Sequence, residues 1–230
     1  MTEKPYKVIY IVEDEQKIAR LVEDYVKPLF EKVVTLHHGN DVLPSMEKEC
    51  PNFLILDIML PGKDGFDILK EVRQKYHVPI LMLSAKTEEI DRLMGLEFGA
   101  DDYMTKPFSP REMVARIKAI MRRVNPTDQK QQNEWEHNGL YVNNTSHVAM
   151  VNGKKIHLTP TEFSLLFLLM KEPGTVFERY AIMQKILGYE FEGYERTIDA
   201  HVKNIRKKIA QITPEEKIES IYGLGYKMIS

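Results

Sequence analysis

Five polar side chains in the first half of the chain stand where apolar runs end, and together they could move a phosphoryl group. The run Phe53-Leu54-Ile55-Leu56 meets Asp57 and is closed by Pro61-Gly62. Tyr6-Lys7-Val8-Ile9-Tyr10-Ile11-Val12 ends in Glu13-Asp14-Glu15, Ile80-Leu81-Met82-Leu83 delivers Ser84, and Asp101-Asp102-Tyr103-Met104-Thr105 delivers Lys106 before Pro107. Adjacent carboxylates repel unless a cation lies between them. Glu13, Asp14 and Asp57 offer the oxygen ligands that suit a hard divalent ion, Mg²⁺ or Mn²⁺. A carboxylate such as Asp57 can accept a phosphoryl group as an aspartyl phosphate. Lys106 would supply a point charge for the phosphoryl oxygens and Ser84 a hydroxyl donor, and in-line transfer needs little more than that positioning. A lone aspartate after a strand usually only starts a turn. Four strand ends carrying matched groups weaken that reading.

Those groups need a parallel sheet to bring them together. Continuous apolar runs of five or so residues read as strands buried on both faces, and helical spacing fills the intervals between them. Strands are expected at 6–12, 33–36, 53–57, 78–83 and 101–105, with helices at 17–30, 41–49, 64–75, 88–98 and 110–123. The last helix opens with Ser109 as N-cap and Pro110 at its first position. Strand and helix alternate five times, which predicts an α/β doubly wound five-stranded parallel sheet, a flavodoxin-like arrangement with ligands at the carboxyl ends of the strands.

The second half has a different rhythm. Residues 125–134 are polar and Gln-rich without apolar periodicity and read as a flexible linker. From Trp135 to Leu158, short alternating segments are broken at Asn138-Gly139, Asn143-Asn144 and Asn152-Gly153, the pattern of an antiparallel meander. Thr159, Pro160 and Glu162 open a strongly apolar helix. A second helix covers 179–187, residues 188–193 form a loop, and a third helix covers 195–211. On that third helix Ile198, Val202, Ile205 and Ile209 share a stripe, with Arg196, Ala200, Lys203, Asn204 and Lys207 opposite and Arg206 and Lys208 at the flanks. Basic residues with one amide and one small side chain suit a helix in a DNA major groove, although a solvated basic face is the commoner meaning of such a run. The hairpin around Tyr222-Gly223-Leu224-Gly225-Tyr226 completes a winged helix-turn-helix α+β domain.

The joint pattern resembles a known family. Val12-Glu13-Asp14-Glu15, Asp57 with Met59-Leu60-Pro61-Gly62, Ser84-Ala85, Asp101-Asp102-Tyr103 and Lys106-Pro107-Phe108 resemble the receiver domain of bacterial two-component response regulators. Arg196-Thr197-Ile198-Asp199-Ala200-His201-Val202 and the Tyr222–Lys227 wing resemble the effector domain of the OmpR/PhoB subfamily, and the closer likeness is to its envelope-stress members. The resemblance implies that Asp57 takes phosphate from a sensor histidine kinase, that Glu13, Asp14, Asp57 and the Met59 backbone carbonyl hold the metal, and that Ser84 and Tyr103 form a switch pair. It implies a homodimer on phosphorylation through Arg92, Glu97, Asp101, Asp102, Glu112, Arg116 and Arg123. Carried over by position, Arg196, Thr197, Ala200, Lys203, Asn204 and Lys207, with Tyr222 and Lys227 on the wing, contact double-stranded DNA, and RNA polymerase is a further partner. Many relatives place Arg before the first wing glycine, where this chain has Tyr222, so a salt contact there is in doubt. The domains implied are a receiver at 1–123, a linker at 124–134 and a DNA-binding domain at 135–230.

Bulk properties narrow the field. The 230 residues carry 32 basic and 34 acidic side chains, nearly balanced in each half, so any nucleic-acid footprint is local. The single Cys50 excludes an intramolecular disulfide and suits a reducing compartment. The apolar run from Phe163 to Met170 is too short to span a bilayer and no signal-peptide core is evident, so a cytoplasmic protein without a membrane partner is expected. The seven histidines, His37 and His38 included, lack metal-ligand spacing, and Cys50 reads as an inert thiol. A phosphohydrolase using Asp57 as nucleophile shares the carboxylates, but it lacks a general acid and a substrate domain. The chain therefore reads as a transcription factor rather than an enzyme. A regulator that binds DNA without phosphorylation, or a protein-interaction adaptor, would leave the acid set or the basic stripe unused.

Overall fold

The computed structural model describes residues 5–85, 94–124, 133–187 and 196–230. The chain divides into two compact units, Met1–Lys118 and Ala119–Ser230. The first unit runs β1 (Tyr6–Val12), α1 (Gln16–Val26), β2 (Phe30–Leu36), a 3₁₀ turn (Gly39–Asp41), α2 (Val42–Lys48), β3 (Phe53–Asp57), α3 (Gly65–Lys75) and β4 (Ile80–Ser84). Helical residues 94–97, here α4, precede β5 (Asp102–Thr105) and α5 (Pro110–Val124). The five strands are parallel in the order β2-β1-β3-β4-β5. That order reverses between β1 and β3, so the crevice beyond their carboxyl ends is the topological switch point. Glu13 and Asp14 follow β1 there, and Asp57 ends β3. Both faces of β3 and β4 are buried, as their unbroken apolar runs require.

Several boundaries differ from the periodicity. α1 stops at Val26 rather than near Phe30, because Pro28 can donate no helical hydrogen bond; the Leu29 N–H turns back to the Val26 carbonyl instead. Phe30 is thereby released to start β2, three residues earlier than the sequence suggests. It pairs with Tyr6, their rings 5.3 Å apart. Val78 lies outside β4; its carbonyl accepts from the Arg73 guanidinium at 2.7 Å. The helix expected at 88–98 lies partly outside the described residues, as do the linker at 125–134 and, entirely, the loop at 188–193. Glu134, at the linker's end, is already the first residue of a strand.

The second unit opens with an antiparallel meander, β6 (Glu134–His137), β7 (Leu140–Asn143), β8 (Val148–Val151) and β9 (Lys154–Ile156). Asn138-Gly139 and Asn152-Gly153 all have positive φ, as two-residue turns matching the strand twist demand. Next come α6 (Pro160–Lys171), β10 (Phe177–Glu178), α7 (Arg179–Leu187), α8 (Arg196–Ala210), β11 (Ile218–Ile221) and β12 (Gly225–Met228). β10, too short to be seen in the sequence, joins the hairpin in the order β10-β12-β11. Thr159 and Glu162 form the anticipated capping box on α6. Leu165, Leu166, Leu169, Ile182, Ile198, Val202, Ile205 and Met228 make one core. Among the described residues no helix is long and apolar enough to cross a membrane.

Candidate functional site

The acid pocket forms because the ends of β1 and β3 lie side by side, with Lys106 reaching in from beyond β5. Asp57 is almost fully buried; its Oδ1 accepts from the Ile58 N–H at 2.7 Å and from the Met59 N–H at 3.4 Å. Lys106, beyond β5, brings Nζ to 2.7 Å from Asp57 Oδ2 and to 2.6 Å from Glu13 Oε2. Glu13 is fully buried and its Oε1 accepts from the Glu15 N–H at 3.3 Å, whereas Asp14 is exposed. Oxygen atoms of Glu13, Asp14 and Asp57 lie within 4.8 Å of one another, close enough to share one ion. The donor set fits a hard divalent cation: three carboxylates, one open to water, with Lys106 beside them.

The electrostatics follow from burial. Removal from water pushes the Glu13 carboxyl up to about 7; the Asp57 charge adds to this, while Lys106 and the Glu15 N–H oppose it. Burial works against the Lys106 charge, but the two carboxylates outweigh it and hold its ammonium above the ordinary range. The pocket thus keeps its cation while one of its acids sits close to neutrality.

Ser84 ends β4 beside Asp57 and is fully buried. Its carbonyl accepts from the Lys106 N–H at 2.6 Å, which ties the lysine's backbone to the strand end. Tyr103 is also fully buried. It is in register with Met82 and, through it, with Leu56, so it sits two strands from the acceptor strand. Its ring packs over Gly95, where a Cβ would come within 3.3 Å of it. Met59 is exposed just past Asp57.

The basic stripe of α8 divides in two. Lys203 and Lys207 are exposed, whereas Thr197, Ala200 and Asn204 are buried. Arg206 is turned inward, donating to the Ile218 carbonyl at 2.6 Å and to Ser220 Oγ at 2.9 Å, and Lys208 pairs with the buried Glu162. Arg196 starts the helix. On the wing, Tyr222 is fully exposed and Lys227 pairs with its cross-strand neighbour Glu219 at 3.0 Å.

Residues 9–118 match the response regulator receiver domain, and residues 153–228 match the C-terminal domain of transcriptional regulatory proteins. The chain is similar to the transcriptional regulatory protein BaeR of Escherichia coli O6:H1, 43% identical over 224 residues that cover 95% of this chain and 91% of BaeR. ResD of Bacillus subtilis is 37% identical over 226 residues, covering 95% of this chain and 94% of ResD. The crystal structure of the response regulator DrrB, an OmpR/PhoB homolog of Thermotoga maritima, aligns over 98% of this chain and all of that one, at 28% identity and a TM-score of 0.52. The chain is an OmpR/PhoB-type response regulator. As such it is a two-component transcription factor, with a receiver for a histidine kinase and a DNA-binding domain, and not an enzyme.

In this response regulator several charges of the expected dimer face already have partners within the chain. Asp101 is fully buried and accepts from Arg73 at 3.1 Å and from the Ile80 N–H at 3.0 Å. Asp102 holds Arg116 through two bonds of 3.0 and 2.9 Å, and Arg116 also reaches Glu112 at 2.7 Å. A buried guanidinium needs such pairing to offset its desolvation. Glu97 is exposed on α4, Arg123 lies in the last turn of α5, and Arg92 falls outside the described residues.

Sequence reasoning missed two features. Asp199 Oδ1 accepts from Arg179 Nε at 2.7 Å and from the Tyr226 hydroxyl at 2.5 Å, fastening α7, α8 and β12 together. The partners lie 20 and 27 residues apart, so no local pattern announces them. His37 Nδ1 lies 2.7 Å from the Glu13 carbonyl oxygen, a contact with a backbone atom that carries no sequence signature at all.

Proposed function

We propose that Asp57 accepts a phosphoryl group from a phosphohistidine of a sensor kinase, and that the aspartyl phosphate promotes dimerisation and sequence-specific DNA binding. The observation that carries this reading is Lys106 Nζ seated between Asp57 and Glu13 at the β1/β3 switch point. In the transfer, an Asp57 carboxylate oxygen attacks phosphorus, the P–N bond breaks, and the imidazole nitrogen takes the electron pair. Glu13, Asp14, Asp57 and the Met59 carbonyl would hold Mg²⁺, or Mn²⁺ in its place, which when bound neutralises charge building on the phosphoryl oxygens. Lys106 holds a phosphoryl oxygen by charge. Ser84 donates its hydroxyl to another, and the Ser84–Tyr103 pair reports the modification to the face containing Glu97, Glu112 and Arg123, with Arg92, while Asp101, Asp102 and Arg116 act from beneath it, where they are buried. Residues 1–123 serve as receiver, 124–134 as linker and 135–230 as effector. Lys203 and Lys207 meet phosphates, Arg196 stands at the start of the same helix, and Tyr222 and Lys227 approach from the wing; Thr197, Ala200 and Asn204, expected at the bases, are buried in the free protein. The reading places the protein in the cytoplasm, with RNA polymerase as a further partner.

A DNA-binding titration at fixed salt tests it, comparing protein treated with a small phosphodonor and Mg²⁺, untreated protein, and treated Asp57→Ala. Affinity should rise only for treated wild type, and only on fragments carrying two half-sites, since pairing acts through effective concentration. Equal binding by all three would establish a constitutive regulator instead.

A further inference from the structure

We propose that residues 37–39 brace the metal pocket, with His37 as a positioning residue for Glu13; this rests on the reading of Glu13 as a metal-binding acid. The segment leaves β2 and touches both halves of the pocket. At one end, the Glu13 backbone is held twice by the end of β2: its N–H donates to the Leu36 carbonyl at 3.0 Å, and its carbonyl lies 2.7 Å from His37 Nδ1. A carbonyl only accepts, so Nδ1 carries the proton. At the other end, the Gly39 N–H donates to the Pro61 carbonyl at 3.0 Å. The two loops there are in close contact. A Cβ on Gly39 would lie 2.0 Å from the Lys63 carbonyl oxygen, and one on Gly62 would lie 2.2 Å from His38 Cε1. His38 stiffens the segment by accepting the Asn40 N–H on Nδ1 at 3.3 Å.

Three residues therefore connect the backbone of the acid after β1 to the turn that follows Met59. The first contributes a carboxylate to the cluster; the second sits directly beyond Asp57 and Met59. A metal site needs its ligands held at a fixed separation, and groups that orient the ligands tune affinity even though they do not touch the ion. The side-chain oxygens of Glu13 and Asp57 are already organised by Lys106. The His37 bond does for the Glu13 main chain what Lys106 does for its carboxylate. His37 is exposed, so it adds this bond without being needed to fill the core, and its removal can be read without collapse of the sheet.

The test measures binding of Mn²⁺ alone to full-length protein, by electron paramagnetic resonance of the free ion, for wild type, His37→Leu, His37→Gln, Gly39→Ala and Glu13→Gln. His37→Leu, which lacks a donor, should weaken Mn²⁺ by roughly tenfold, the low end for a ligand-orienting group. His37→Gln, which keeps one, should recover most of the loss. Gly39→Ala, which strains the other end of the brace, should weaken it comparably. Phosphorylation by a small phosphodonor should then show the split expected of a positioning residue: His37→Leu raises the Mg²⁺ concentration needed for half-maximal rate and leaves the rate at saturating Mg²⁺ unchanged. Wild-type affinity in His37→Leu, with Glu13→Gln weakened, would overturn the brace alone. Equal losses in His37→Leu and His37→Gln would overturn it too, since the bond would not be what acts. Unchanged affinity in Glu13→Gln would remove the metal reading itself, and the brace with it.

Discussion

Glu13 ties the charge of the pocket to pH near neutrality. Burial, reinforced by Asp57, raises its carboxyl to about 7, while Lys106 remains a cation. A proton on Glu13 competes with a metal ion for the same oxygens. Divalent metal affinity should therefore increase between pH 6 and pH 8 and level off above, by about tenfold for one group of this acidity. Titration calorimetry at several pH values, corrected for buffer ionisation, would show the slope, and Glu13→Asn should abolish it along with most of the binding. A flat profile in wild type would mean that Glu13 is already ionised at pH 6 and that Lys106 dominates its surroundings. The sign for stability runs the other way. The folded protein holds this proton more tightly than the unfolded chain does, so the group's contribution to metal-free stability is fully present below about pH 4.5 and is lost as pH rises toward 7. Chelated protein should show that decline in its midpoint of unfolding, and the Asn variant should show less of it.

Among the elements, α6 carries one acid in two roles. Glu162 accepts the Thr159 N–H at 2.8 Å within the capping box and pairs with Lys208 from α8. Thr159→Ala removes the cap and should cost about 1 kcal/mol, whereas Glu162→Ala also strips Lys208 of its partner and should cost roughly 2–3 kcal/mol. Trp135, the only tryptophan, packs edge-on against Phe167 of α6 with ring centroids 4.9 Å apart, so its fluorescence in urea reports this unit. Equal losses in the two variants would mean that the Lys208 pair adds nothing. The cap itself was legible in the sequence, as were the Asn-Gly turns and every strand of the parallel sheet, because each depends on neighbouring residues. The Lys208 pairing was not: a lysine bound for a buried glutamate 46 residues away has the same local pattern as one facing DNA. The same limit applies to Asp102 and Arg116, which read as surface charge and are buried; the end of α1 is different, since Pro28 is a local stop signal that the helical spacing overran. In the acid pocket the sequence identified the groups and their strand ends, while His37 stayed hidden behind a main-chain contact.

For the whole molecule, DNA affinity must come from local charge, since the net charge is −2. Of the four basic side chains from Lys203 to Lys208, the helical projection puts Lys203 and Lys207 opposite the core and Arg206 and Lys208 at the flanks, and the structure finds the two flanking ones bound within the domain. Lys203 and Lys207 are exposed; Arg206 is bound to Ile218 and Ser220, and Lys208 to Glu162. Each phosphate neutralised by a lysine releases condensed counterions, which steepens the fall of log K with log salt by about one unit. Lys203→Ala and Lys207→Ala should each reduce that slope by about 1 and weaken binding to all sequences alike. Arg206→Ala and Lys208→Ala should leave the slope unchanged and lower the urea midpoint instead, because their charges hold β11 and α6 to α8. Tyr222→Ala should also leave the slope unchanged, since the wing tip contributes a ring and no charge. Fluorescence anisotropy on one DNA fragment across a salt series distinguishes the groups. A reduced slope for Arg206→Ala would show that this arginine leaves Ile218 on binding DNA, and that the helix rearranges its charges when it meets the duplex. The pairing of Arg206 and Lys208 found here would then describe the free protein only.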